Sequence, residues 1–294
     1  MAIFKGSGVA LVTPMKANEE IDIDRLEELI GFQIENGTEA ILIGTTTGEG
    51  ATLSGEEELS LIKAAKHFIN GRASLIAGVG SNCTRNAMQL AEEIEEIGVD
   101  GLLVNSPYYN VKTQTGVITH YTKIARAVKS PILMYNVPSR TNCNIEPETV
   151  AYLFKQEANI IGLKNATTDM EHTAKVMHLT EGKIDLYSGE DSIVVPMLEL
   201  GGKGVISVWA NIAPKKVHDM CQCFFEGDTQ TAKELQAEAL PLISALFSDA
   251  NPIPVKKALN LMGMEAGTLR APLYELGAEK TELLAQRMKA YGLL

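Results

Sequence analysis

Short apolar runs rich in β-branched residues alternate along the chain with longer amphipathic segments. The eight runs are residues 8–13, 40–45, 75–80, 101–105, 132–136, 160–164, 185–189 and 204–208. Nearly continuous apolar runs of this length are typical of parallel strands that are covered on both faces. The pattern therefore predicts eight buried parallel strands.

The segments between these runs carry the signals that begin helices. Asp24 precedes a stretch with apolar residues at three- and four-residue spacing, as on one face of a helix. Ser54 is followed three residues later by Glu57, which is the pattern of a capping box. Thr84 leads into another amphipathic run, and Pro147 stands where a helix would begin. Strands and helices are thus predicted to alternate.

Strand–helix alternation repeated eight times predicts an α/β fold of the (β/α)₈ barrel type. A doubly wound open sheet is the alternative, but no Gly-x-Gly-x-x-Gly follows the first predicted strand and no Walker-type loop is present. We predict a barrel over residues 1–225 and a C-terminal helical extension over residues 226–294. Helices are predicted at the end of the chain over residues 214–225, 229–247, 254–262 and 281–291.

Composition restricts the classes of partner. The formal net charge of −11 argues against nucleic acid and anionic membrane surfaces as partners. No apolar stretch approaches the ~18 residues of a membrane span, and the first residues lack the pattern of a signal peptide. The four cysteines have neither disulfide-framework nor zinc-site spacing. We therefore expect a cytoplasmic protein with reduced thiols.

Lys164 lies in the otherwise apolar sixth run. Lysine is rarely buried without a partner. Loss of water around the side chain favours the neutral amine, which is a nucleophile that can form a Schiff base with a carbonyl substrate. The alternative is a lysine that ends an edge strand and extends its ammonium to water. The segment alone does not decide between the two.

Other polar groups follow neighbouring predicted strands, where barrel enzymes place their active sites. Thr46 and Thr47 follow the second strand, Tyr109 the fourth, and Arg140 the fifth, which itself contains Tyr135. Each alone has an ordinary explanation, such as a turn, a packing pair or a solvated arginine. Together they supply one guanidinium, hydroxyls and phenols beside the lysine, without a dominant histidine or carboxylate pair. This set suits Schiff-base chemistry on a keto acid.

Their chemistry suggests roles. Tyr135, one strand away from Lys164, can move the protons that loss of water requires. Thr46 and Thr47 can hydrogen-bond a carboxylate, and Arg140 can bind a second carboxylate through two N–H groups.

At these residues the chain resembles the family of pyruvate-dependent class I aldolases that contains the dihydrodipicolinate synthases and N-acetylneuraminate lyase. The most specific matching segments are residues 46–49, 107–110, 135–141, 161–164 and 201–207, and the resemblance extends to residues 251–256. It implies that Lys164 forms the Schiff base with pyruvate. It further implies a proton relay of Tyr135, Thr46 and a Tyr109 that reaches the neighbouring subunit's site. Thr47 would bind the pyruvate carboxylate, Gly189 and Ile206 would line the pocket, and Arg140 would bind the carboxylate of L-aspartate 4-semialdehyde.

The resemblance also implies an activity. It is the condensation of pyruvate with L-aspartate 4-semialdehyde to 4-hydroxy-tetrahydrodipicolinate, the committed step of diaminopimelate and lysine biosynthesis, without a cofactor or metal. A homotetramer built as a dimer of dimers is implied, with a dimer as the alternative. Arg140 argues against an aldolase that acts on sugar acids. A second alternative is a catalytically silent barrel that binds keto acids, against which Lys164, Tyr135 and Tyr109 argue.

Some positions depart from the family pattern. Thr45 stands where glycine usually precedes the threonine pair, and Asn165 where an acidic residue commonly follows the lysine. Asn82 and Tyr108 match the site at which some members bind inhibitory lysine. The positions of that site's histidines and glutamate are occupied here by Gly55, Glu58 and Asn86. This predicts weak or absent inhibition by lysine.

Overall fold

The apolar runs form eight parallel strands that close into a barrel in a computed structural model describing residues 2–111 and 113–294. The strands are β1 (Gly6–Ala10), β2 (Ala40–Ile43), β3 (Ser74–Val79), β4 (Gly101–Asn105), β5 (Ile132–Asn136), β6 (Ile160–Asn165), β7 (Asp185–Ser188) and β8 (Gly204–Ser207). Each strand pairs with the next, and β8 pairs with β1. The predicted barrel is confirmed, and the open sheet is excluded.

Helices follow the strands and cover the barrel. They are α1 (Ile23–Glu35), α2 (Gly55–Ile69), α3 (Thr84–Ile97), α4 (Gln114–Ala127), α5 (Pro138–Thr141), α6 (Pro147–Gln156), α7 (Met170–Leu179), α8 (Val194–Glu199), α9 (Pro214–Phe225), α10 (Thr229–Leu246), α11 (Ile253–Leu261) and α12 (Ala278–Ala290). The predicted capping box is present, since the Ser54 hydroxyl accepts from Glu57 N and the Glu57 carboxylate accepts from Ser54 N. Short 3₁₀ turns span Gly50–Thr52, Asp191–Ile193 and Trp209–Asn211.

The first strand differs from its prediction, because it begins at Gly6 and ends at Ala10 rather than covering residues 8–13. Leu11 N still donates to Leu42 O of β2 (3.0 Å), but the buried residues after Leu11 leave the strand ladder. Val12 N donates to the Asn211 side chain (3.0 Å), and the Thr13 hydroxyl donates to Gly48 O (2.6 Å). The hydrophobic run extends past the end of the strand because the residues that follow the strand are also buried.

Alternating side chains along the strands fill two separate cores. Ala40 and Leu42 of β2 point into the barrel, whereas Ile41 and Ile43 pack against the surrounding helices. At the amino-terminal end of the barrel, Phe4 stacks on the Tyr187 ring at 4.4 Å, and the Tyr187 hydroxyl donates to Phe4 O (2.7 Å). These two side chains fill the barrel interior at its amino-terminal end.

The strand register brings the chemistry together. Tyr135 of β5 is level with Lys164 of β6 and with Asn105 of β4. Because the strands are parallel, these side chains project near the same end of the barrel.

The last three helices extend the barrel. The α10 helix packs on α9 and α12, and α11 packs on α12. Residues of α9 such as Met220 and residues of α10 such as Ala239 belong to one hydrophobic core. The predicted division after residue 225 therefore stays a prediction. Among the described residues, no helix combines the length and the apolar character needed to cross a membrane.

Candidate active site

A cavity of about 200 Å³ lies at the carboxyl ends of the strands. Six of the predicted site residues line it, namely Thr46, Thr47, Tyr135, Arg140, Lys164 and Gly189. They come from four separate parts of the barrel, from the β2 loop to the end of β7. The structure thus brings together residues that are far apart in the sequence.

Lys164 supplies the cavity with a buried amine. Its side chain is 4% exposed, and Nζ lies 4.3 Å from the centroid of the Tyr135 ring. Within residues 2–111 and 113–294 it forms no ion pair, whereas the other deeply buried lysine, Lys256, pairs with Glu49 at 2.7 Å. Lys164 is therefore an amine without a carboxylate partner in this part of the chain, placed beside a phenol.

The threonine pair is held in a tight loop after β2. Glu49 N donates to Thr46 O (3.2 Å), and Gly50 N donates to Thr45 O (3.0 Å). A Cβ on Gly50 would lie 2.3 Å from Gly44 O, so only glycine fits the closing position of the loop. The loop therefore presents Thr46 and Thr47 to the cavity.

Arg140 lies in α5, a single helical turn at the end of the loop after β5. Its Nη2 donates to the backbone carbonyl of Asn251 at 3.3 Å. This contact uses one of the five N–H groups of the guanidinium and leaves others for an anion.

Gly189 and Ile206 occupy different depths. A Cβ on Gly189 would lie 2.8 Å from the Ala166 Cβ, so a side chain there would collide with the wall of the cavity. Ile206 of β8 is buried inside the barrel in the cluster that contains Tyr135 and Tyr187, and it is not among the residues that line the cavity. Its predicted place as a lining residue stays a prediction.

Tyr109 lies outside the cavity of its own chain. Its side chain is 88% exposed, and its backbone is left-handed, with φ of 72°. The structure thus joins Tyr135 and Thr46 of the predicted relay and leaves Tyr109 at the surface.

The two positions that depart from the family pattern, Thr45 and Asn165, do not line this cavity. The Asn165 carboxamide is buried behind the sheet, where it accepts from Asn136 Nδ2 (2.9 Å) and donates to Thr173 Oγ1 (3.0 Å). It follows Lys164 in a strand, so its side chain points to the opposite face. Thr45 lines a second cavity, and its buried hydroxyl has no hydrogen-bond partner in the described part of the chain.

This second cavity, of about 380 Å³, adjoins the first and shares Thr46, Arg140 and Asn251 with it. It also contains Glu58 and Tyr108. Burial raises the pKa of the Glu58 carboxyl to about 7.

Several residues that line the first cavity were not assigned to the site from the sequence. They are Val137, Ser139, Ala166, Glu190, Val208, Phe247, Asp249 and Asn251. Asp249 and Asn251 come from the loop before α11, so inspection of strand ends could not find them. The one sequence signal for Asn251 was the segment of residues 251–256, which resembles the family but had no role assigned to it.

The set of groups defines what the cavity can do. A buried amine can attack a carbonyl carbon, a phenol can transfer protons, and hydroxyl and guanidinium groups can hold carboxylates. No group of three or more histidine, cysteine, aspartate or glutamate side chains suited to a metal ion occurs in the described residues.

Comparison with known proteins gives consistent matches over the full chain. The profile of the dihydrodipicolinate synthetase family matches residues 3–291. The 4-hydroxy-tetrahydrodipicolinate synthase of Lachnoclostridium phytofermentans is 50% identical over 294 residues, which cover all of both chains.

Solved structures agree with these sequence matches. The dihydrodipicolinate synthase of Cyanidioschyzon merolae, crystallised with lysine bound, superimposes with a TM-score of 0.97 at 38% identity over all of both chains. The chloride-inhibited enzyme of Acinetobacter baumannii in complex with pyruvate gives a TM-score of 0.96 at 40% identity, over 99% of this chain and 100% of the other.

Proposed function

The chain belongs to the dihydrodipicolinate synthetase family, and from that premise we infer that it is a lyase acting on pyruvate and L-aspartate 4-semialdehyde. It condenses them to 4-hydroxy-tetrahydrodipicolinate, the committed step of diaminopimelate and lysine biosynthesis. The observation that supports this most strongly is the buried Lys164 amine, without an ion-pair partner in the described residues, in a cavity with a phenol and two anion-binding groups.

In the proposed mechanism, Lys164 Nζ attacks the ketone carbon of pyruvate, and loss of water gives an imine. The Tyr135 ring adjoins Nζ, so its hydroxyl is the group we assign to shuttle protons together with Thr46. Loss of a methyl proton gives an enamine, whose carbon attacks the aldehyde of the second substrate. The amine of that substrate then displaces Lys164, which releases the lysine and closes the ring.

Each substrate carries a carboxylate, and we propose a separate group for each. Thr47 lies in the same cavity as Lys164 and binds the pyruvate carboxylate through its hydroxyl. Arg140 lines both cavities and binds the carboxylate of the semialdehyde through paired N–H groups. With Thr47 assigned to pyruvate and Arg140 to the semialdehyde, pyruvate lies nearer the strands than the semialdehyde does.

Tyr109 supports an oligomeric enzyme. An exposed tyrosine held in a left-handed backbone conformation has an energetic cost, and such conformations concentrate at functional sites. We propose that its hydroxyl completes the relay in the neighbouring subunit. We further propose a homotetramer made of two dimers, in which one dimer is sufficient for the relay.

A cytoplasmic location is part of the same proposal. All four cysteines are free thiols in the described residues, as is usual in a reducing compartment.

The first test is trapping of the imine together with turnover. Borohydride added with pyruvate is expected to label Lys164 covalently, and the purified protein is expected to consume both substrates. Lys164→Ala should lose the label and the turnover, whereas Lys216→Ala, a surface substitution on α9, should keep both.

The outcomes separate the parts of the proposal. Absence of any pyruvate adduct in the unmodified protein would refute Schiff-base chemistry. An adduct at Lys164 without turnover of the semialdehyde would instead show that the second substrate is wrong, and sugar-acid aldehydes would be tested next.

A further inference from the structure

Asn251 connects the C-terminal region to both anion-binding groups. It lies in the loop between α10 and α11, is 7% exposed, and lines both cavities. Its side-chain Nδ2 donates to Thr47 Oγ1 at 3.0 Å. Its backbone carbonyl accepts from Arg140 Nη2 at 3.3 Å. One residue from outside the strand ends thus contacts both groups that we assign to the substrate carboxylates.

The direction of the first hydrogen bond has a chemical consequence. The amide nitrogen of asparagine can only donate, so Thr47 Oγ1 accepts this bond and its own O–H proton must be directed elsewhere. An ionised carboxylate can only accept. The amide therefore leaves the Thr47 hydroxyl in the donor orientation that the pyruvate carboxylate requires.

We propose that Asn251 is a positioning residue, whose side-chain amide fixes the Thr47 hydroxyl as a hydrogen-bond donor to the carboxylate of pyruvate. This inference rests on the proposed role of Thr47. A second observation supports it, since the buried Asn251 Oδ1 has no hydrogen-bond partner in the described residues. A buried polar atom left unpaired lowers the stability of the fold. The amide thus keeps its hydrogen bond to Thr47 in an orientation that leaves Oδ1 unpaired.

A buried ion pair also links the chain segment around Thr47 to the chain segment around Asn251. Lys256 on α11 pairs with Glu49 at 2.7 Å, and their side chains are 1% and 0% exposed. Glu49 follows Thr47 by two residues, and Lys256 follows Asn251 by five. The other Glu49 oxygen accepts from Arg270 N at 3.1 Å. The loop of Thr47 and the loop of Asn251 are therefore held together at a second point.

The test measures the pyruvate concentration that half-saturates borohydride labelling of Lys164, together with KM for each substrate. Asn251→Ala is expected to weaken pyruvate binding by about tenfold, the effect of one hydrogen bond to a charged group. The KM for the semialdehyde should change much less, because the backbone carbonyl that contacts Arg140 remains. Gln236→Ala is the matched control, since it removes another buried amide, which accepts from Val195 N and donates to Ser192 O.

A double-mutant cycle separates positioning of Thr47 from general packing. Thr47→Val alone should weaken pyruvate binding, and adding Asn251→Ala should then have little further effect. Additive effects, an unchanged pyruvate affinity in Asn251→Ala, or equal losses for both substrates would overturn the inference. If Thr47→Val itself leaves pyruvate binding unchanged, the proposed role of Thr47 fails as well.

A second variant keeps the test decisive if the alanine variant does not fold. Asn251→Asp preserves the side-chain volume but supplies only an acceptor, so it draws the Thr47 proton away from pyruvate and adds a negative charge. It should bind pyruvate more weakly than Asn251→Ala does. Pyruvate binding equal to that of the unmodified protein would contradict the assignment.

Discussion

Glu58 is a buried carboxyl group whose protonation should be coupled to stability. Its pKa is raised from 4.5 to about 7 by burial. Between these values the folded chain holds a proton that the unfolded chain has released, so stability falls as pH rises through this window. Glu58→Gln removes this loss and should be more stable than the unmodified protein above pH 7, by up to about 3 kcal/mol.

Urea denaturation at a series of pH values measures the effect. The two stability curves should meet near pH 4.5 and diverge as pH rises. Glu56→Gln, on the exposed face of the same helix, is the control and should follow the unmodified protein. Parallel curves for Glu58→Gln would show that the carboxyl is not coupled to folding.

Glu58 also bears on regulation, because it lines the second cavity together with Tyr108. A relative was crystallised with lysine bound, but the family resemblance implies that Gly55, Glu58 and Asn86 stand here in place of the histidines and the glutamate of lysine-sensitive members. We expect steady-state turnover to be nearly unchanged in millimolar lysine. Strong inhibition would show that the remaining matches, Asn82 and Tyr108, are sufficient for a lysine site.

Two buried lysines, Lys164 and Lys256, show what a sequence reveals of single residues. Lys164 was identified as a candidate nucleophile because it interrupts an apolar run and lies near the carboxyl end of a predicted strand, where barrel active sites form. Lys256 is more deeply buried, but its partner Glu49 is 207 positions away, so its pairing depends on a fold that local sequence does not specify. Asn251 was overlooked as a site residue for the same reason, since its contact with Thr47 spans 204 positions.

At the scale of elements, the ion pair between the β2 loop and α11 should contribute to stability. Burial lowers the pKa of Lys256 while Glu49 opposes the shift, so the ammonium depends on its partner. Lys256→Met leaves the Glu49 carboxylate buried without it and should destabilise the fold by about 3–5 kcal/mol.

Chemical denaturation tests this pair with two companion variants. Lys257→Met, at the next and less buried position of α11, should have little effect. Lys256→Met combined with Glu49→Gln should recover part of the loss, because no unpaired charge then remains. A Lys256→Met protein as stable as the unmodified one would mean that the pair contributes nothing.

Element boundaries were predictable where hydrophobic periodicity and strand pairing coincide. The helix over Pro214–Phe225 was predicted with its observed bounds, and Pro147 was correctly placed at the start of its helix. The end of the first strand was misplaced because the buried residues Val12 and Thr13 bond to a side chain and to a loop rather than to a neighbouring strand. The four-residue helix that carries Arg140 was not predicted, since one turn is too short for a periodic pattern.

For the whole molecule, closure of the barrel was predictable because eight strand–helix units alternate without interruption. The assembly was not predictable from this alternation, because the hydrophobic periodicity of one chain does not specify what an exposed side chain contacts in another copy. Tyr109 is the residue at which this matters, as it is exposed in a single chain and we propose that it serves a neighbour's site.

Mixed oligomers test that assignment. Tyr109→Phe removes the hydroxyl and should reduce turnover by roughly a hundredfold or more, the usual contribution of a positioned acid or base. Lys164→Ala should be inactive because it lacks the nucleophile. When the two variants are coexpressed with different tags and isolated as a mixed oligomer, the Tyr109→Phe chain retains Lys164, and the Lys164→Ala chain retains Tyr109.

The activity of the mixed oligomer then identifies which chain the relay serves. If Tyr109 acts across the interface, one complete site forms and turnover rises well above that of either variant alone. If Tyr109 acts within its own chain, every site lacks either the lysine or the tyrosine, and mixing restores nothing. One variant changes a side chain buried in the cavity, and the other changes a side chain exposed at the surface. Circular dichroism checks that each variant is folded before mixing. A folded, mixed and inactive oligomer would refute the inter-subunit relay while leaving Lys164 as the nucleophile.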